Sequence, residues 1–146
     1  MTTPISWVVV ADGRDGRILR TLDGHHLEAA LDHDFVGPNP LDHETGPERP
    51  GRVQNSLGGG RHALEGFDHH RAHKEEFLAR IAHELDGAAL AGRFERLYLI
   101  APPQALGDLR AHLGQHAAGR IAGELALDLT HEPTHELEKR LETLLA

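Results

Sequence analysis

Cysteine is absent from this sequence. That excludes disulfides and thiolate zinc sites, and it fits a reducing compartment. Long apolar runs are missing too. The longest, Trp7–Ala11 and Leu97–Ala101, fall far short of the ~20 residues that span a bilayer. Met1–Ser6 lacks the basic-then-apolar pattern of a secretory signal. The expectation is a cytoplasmic chain with no membrane partner.

Positive charge is also in deficit. The formal net charge is −8, which argues against a general polyanion binder, since phosphates are neutralised by clustered Lys and Arg. The average hides a segregation. Residues 49–64, RPGRVQNSLGGGRHAL, hold Arg49, Arg52, Arg61 and His62 and no acid. The acids Glu124, Asp128, Glu132, Glu136, Glu138 and Glu142 face only Lys139 and Arg140 in the last segment.

Several catalytic patterns are missing. Ser6 and Ser56 are the only serines, and neither lies in G-x-S-x-G. Gly58-Gly59-Gly60-Arg61-His62 lacks the Gly-Lys-Ser/Thr ending of a P-loop and the spacing of a dinucleotide fingerprint. His69 and His73 are one helical turn apart, but no HExxH accompanies them and spacing fixes no third ligand. The histidines read as a solvated helix face, with Asp68 as a helix cap. No metal and no cofactor is expected.

What is present fits one domain over residues 1–146. Trp7–Ala11 reads as a buried strand, and Arg17–Leu22 as a second after the turn Asp12–Gly16. Leu27–Phe35 alternates and reads as a third strand. A helix is expected over 68–91, with Phe77, Leu78, Ile81 and Leu85 as its apolar stripe and Gly92 as its stop. A strand over Arg96–Ala101, a helix over 103–113, a strand over Ile121–Leu129 and a helix opening at Pro133 complete the order. Leu137, Leu141, Leu144 and Leu145 mark the last buried face. The expected fold is α/β: a mixed sheet of about five strands with helices packed against it.

Between them, residues 37–66 show no sustained period and are punctuated by prolines 38, 40, 47 and 50 and by glycines. A structureless stretch of that length inside a domain is usually functional or disordered. Glycine amides can face an anion, Arg61 suits phosphate, and His62 can move a proton. The candidate ligand- or RNA-binding set is therefore Arg49, Arg52, Gly58, Gly59, Gly60, Arg61 and His62. Asp128, Thr130 and His131 end the Ile121–Leu129 strand, where ligand groups often sit in α/β sheets. A small hydrolase or nuclease using His62 with Asp128 or His131 requires those groups to converge.

Four blocks of the sequence, WVVVADGRDGRILR, RPGRVQNSLGGGRHALE, FERLYLIAPPQALGDLR and ELALDLTHEPTHEL, together resemble the bacterial host attachment family, proteins required for attachment to host cells. That family is similar in turn to the middle domain of archaeo-eukaryotic class 1 peptide-release factors. There a Gly-Gly-Gln loop precedes a long helix and enters the ribosomal peptidyl-transferase centre. The resemblance implies a glycine-rich loop before the first long helix, a tip at Gly59-Gly60-Arg61, and a ribosome or tRNA partner. Arg61 stands where Gln would be. A guanidinium accepts no proton, so the resemblance implies binding more than peptidyl-tRNA hydrolysis.

Overall fold

The computed structural model describes residues 3–37 and 59–145, with side chains described for 3–37 and 71–145. In chain order the elements are β1 (Ser6–Ala11), β2 (Asp15–Thr21), β3 (Glu28–Ala29), β4 (Phe35–Val36), α1 (Gly59–Leu90), β5 (Arg96–Ile100), α2 (Pro103–His112), α3 (Gln115–Ala118), β6 (Ile121–Leu125) and α4 (Thr134–Leu145).

One mixed sheet carries the strand order β3-β2-β1-β5-β6, with β4 also pairing β2. β1 runs antiparallel to β2 and parallel to β5, and β5 runs parallel to β6. β1 is the middle strand, and every residue of it is buried. Its run of β-branched and apolar residues suits a strand covered on both faces. Successive side chains point to opposite faces, so the sheet divides two cores. Trp7, Val9, Leu97 and Leu99 meet Phe77, Leu78, Ile81 and Leu85 of α1 and Leu106 and Leu109 of α2. Val8, Val10, Tyr98 and Ile100 meet Leu137, Leu141 and Leu145 of α4. Burial of each such side chain contributes roughly 1.5–3 kcal/mol.

α1 ends in a Schellman motif. Gly92 has φ 74°, its N–H donates to Ala89 and that of Arg93 donates to Ala88, both at 3.0 Å. The chain then reverses and seats Phe94 against Trp7, ring centroids 4.9 Å apart.

The mixed sheet and the packed helices are as the sequence implied. Three boundaries are corrected. α1 starts at Gly59, not Asp68, so residues 59–66 of the expected loop are helical and Asp68 falls within the helix, not at its start. Arg61, Ala63, Leu64 and Glu65 favour a helix, which offsets the glycine cost of ~1 kcal/mol each. Residues 38–58 of that loop lie outside the described residues. The third strand is split. From Gly16 to Leu19 β2 advances three residues while its partner advances six, from Ala29 to Phe35, so the polar residues Asp32-His33-Asp34 bulge out. β6 stops at Leu125, not Leu129. Ala101 makes the last ladder bond to it, at 3.2 Å, and Pro102-Pro103 has no N–H with which to continue.

Candidate functional site

Parallel strands β1, β5 and β6 end on the same edge of the sheet, where α/β sheets commonly present their ligand groups. The β1–β2 turn builds one wall of a cleft there. Asp12 Oδ1 accepts the N–H groups of Arg14 and Asp15, both at 2.7 Å, an Asx-type turn that holds Gly13 and Arg14 in place. α1 supplies Arg71, Lys74 and Leu78, and the start of α2 supplies Pro102, Gln104, Ala105 and Asp108. The cleft encloses about 270 Å³.

Its geometry rests on one ion pair and one further polar contact between α1 and α2. Arg71 Nη1 and Nη2 donate to Asp108 Oδ2 and Oδ1 at 2.6 and 2.8 Å. Glu75 Oε1 lies 3.1 Å from His112 Nε2. Both pairs step by one turn in the same direction, so α1 and α2 run side by side and parallel. Asp108 is largely buried, 14% exposed, and the Arg71 guanidinium holds its carboxyl below the usual carboxylate range. With its amide oxygen turned toward Arg71, Gln104 accepts from Nε at 3.0 Å and from Nη2 at 3.3 Å. Arg71 is thus fixed and neutralised, and Arg14 and Lys74 carry the cleft's positive charge.

A second group lies beside the same turn. One ligand atom from each of Asp12, Asp15 and His131 falls within 4.8 Å of the others. His131 Nε2 is 3.7 Å from Asp15 Oδ2. Two carboxylates and an imidazole are a chemically apt set for a divalent cation. His131 is 78% exposed and Asp12 is already engaged by two amides, so the arrangement is equally a charged surface turn.

Of the residues singled out in the sequence, Gly59, Gly60, Arg61 and His62 fall in the opening turn of α1. Arg49, Arg52 and Gly58 lie outside the described residues. Asp128 accepts from Thr130 Oγ1 at 2.9 Å and from its N–H at 3.3 Å, which closes the turn after β6. His131 turns to Asp15. Sequence reasoning missed the cleft because its charged residues are scattered over three segments. The one local signal was the strand-then-turn at Asp12 facing a strand that ends in Pro102-Pro103.

Residues 7–141 match the sequence model of a family described as "protein required for attachment to host cells". No curated protein matches on sequence. Among solved structures, the crystal structure of an archaeal translation termination factor is similar with a TM-score of 0.52 and 14% identity. The match covers 97% of this chain and 36% of that one, so the chain spans about a third of that factor's length. At this identity the likeness is one of fold.

Proposed function

The chain belongs to the family of proteins required for attachment to host cells, and from that premise we propose that it is a ribosome-associated domain of the release-factor type. The observation that carries this reading is the release-factor fold likeness over 97% of the chain. The local charge supports it. In a chain of net charge −8, residues 49–62 hold three arginines, a histidine and four glycines without an acid. Such a segment suits an RNA-lined cavity, where backbone phosphates supply most of the affinity. Arg61 in place of a glutamine favours binding over ester hydrolysis, because arginine neither accepts a proton nor orients water as an amide does. The effect on host attachment is then indirect, through translation.

Sedimentation of the purified chain with ribosomes through a sucrose cushion tests this. Association should fall with salt, and Arg52→Ala with Arg61→Ala should weaken it and flatten the log–log salt slope by about 1.4–1.8. Failure to pellet with ribosomes at any salt would sink the reading.

The family description favours a second reading, a direct role at the host contact. Among the described residues no helix is long and apolar enough to cross a membrane. Surface labelling of intact cells separates the two, since a protein labelled from outside supports the direct role.

A further inference from the structure

Two cations of the cleft are left without an ion-pair partner among the described residues, although carboxylates flank them. Arg14 and Lys74 both line it, and neither side chain makes an ion pair among the described residues. Gly13 stands between them. A Cβ there would lie 2.7 Å from Lys74 Cγ and 2.8 Å from Cδ, so the missing side chain lets the lysine stem lie against the turn. The opposite wall is the first turn of α2. Pro103 has no N–H, and the first bond of that turn is Leu106 N–H to the Pro102 carbonyl at 2.8 Å. The N–H groups of Gln104 and Ala105 therefore have no intrahelical acceptor, and no side chain caps this end. Two exposed cations from separate elements and the first-turn residues Gln104 and Ala105 line one small cleft. Leu78 and Ala105 give it an apolar wall.

We propose that this cleft binds a phosphate-bearing small molecule of mononucleotide size. This goes beyond ribosome association and uses a different set of residues. Arg14 and Lys74 would hold the phosphate together with the α2 amides, a charge-assisted donor set of the kind phosphate prefers. Arg71 is a positioning residue here, since Asp108 and Gln104 occupy its donors. The size follows from the cleft, which at about 270 Å³ lies at the small end of ligand pockets. The flanking carboxylates of Asp12 and Asp108 and the net charge of −8 disfavour a long polyanion at the same place.

Calorimetric titration of the full chain at low salt tests this, with adenosine monophosphate, inorganic phosphate and adenosine as probes. Saturable binding of adenosine monophosphate is expected, weaker binding of phosphate, and none of adenosine. Arg14→Ala and Lys74→Ala should each lower the affinity roughly tenfold or more, as expected for loss of a hydrogen bond to a charged group. Lys139→Ala, the same charge change on α4, should bind as the parent does. Gly13→Ala should weaken binding by displacing Lys74 while far-UV circular dichroism stays unchanged. No saturable binding of either phosphorylated probe, or an equal loss in Lys139→Ala, would overturn the assignment. An oligo(A) that binds more tightly than the monophosphate through Arg14 and Lys74 would overturn the size. Ribosome sedimentation of Arg14→Ala/Lys74→Ala should match the parent, which separates this site's failure from failure of the ribosome reading.

Discussion

Asp23, in the turn after β2, collects more hydrogen bonds than any surface carboxylate needs for solubility. Its Oδ1 accepts the N–H groups of His25 and His26 at 2.8 and 2.9 Å and the Thr21 hydroxyl at 3.2 Å. Its Oδ2 lies 2.8 Å from His26 Nδ1. The His26 imidazole first, and the backbone amides next, hold the Asp23 carboxyl well below its ordinary range. Reciprocally, the Asp23 hydrogen bond and charge raise the His26 pKa. The signs are opposite for the two groups. Asp23's contribution is present above the ordinary carboxylate pKa of ~4 and is lost as pH falls through its depressed value. His26's is present below ~6.5 and is lost as pH rises through its elevated value. The pair is therefore most effective between those limits. Both side chains are more than half exposed, so solvent screens the pair and titration reveals it better than stability does. The His26 ring protons, followed by NMR, should titrate above ~6.5, and Asp23→Asn should return the midpoint toward that value. A parent midpoint at or below the ordinary one would contradict the geometry. None of this was visible in the sequence, where Asp23–His26 is only the stretch between two expected strands.

Elements were legible where a local period carried them. The apolar run of β1, the stripe Phe77, Leu78, Ile81 and Leu85, and the leucines of α4 all face cores as their spacing implies. Boundaries set by a distant partner were not. The end of β6 is dictated by two prolines after β5, and the split third strand by the register along β2. The candidate cleft was illegible for the same reason, because Arg14, Arg71 and Gln104 come from separate segments that only the fold brings together. In α1 and at its C-terminal stop, two glycines of opposite meaning give a test at this scale. Gly87 is exposed in the helix interior, and a Cβ there would meet nothing within 4 Å. Gly87→Ala should stabilise by about 0.5–1 kcal/mol, since glycine loses more backbone freedom on folding. Gly92 is equally open but sits at φ 74°, and Gly92→Ala should destabilise by about 1–2 kcal/mol. Urea denaturation compares them. Two shifts of the same sign would mean that the helix does not end as described.

The sheet that divides the molecule into two cores also joins them, because β1 and β5 contribute alternate residues to both. Trp7 and Val8 are neighbours in the chain and belong to opposite clusters. Losing order in one layer exposes one face of strands whose other face is still packed, so the two layers should unfold together. Trp7 is the only tryptophan; it is 2% exposed and reports on the layer beneath α1. Leu141, 0% exposed, belongs to the layer beneath α4. Leu141→Ala should destabilise by about 2–5 kcal/mol, the transfer and cavity cost of deleting a buried leucine side chain. If the sheet couples the layers, Leu141→Ala should lower the urea midpoint of Trp7 fluorescence as much as that of far-UV circular dichroism, although the residues lie on opposite faces. Leu85→Ala, in the cluster with Trp7, should move both probes by the same rule. Coincident transitions in both variants are the signature of one cooperative unit. A Trp7 transition left in place by Leu141→Ala would show two separable layers, with α4 and its core free to open while the α1 side, and the cleft built on it, stays folded.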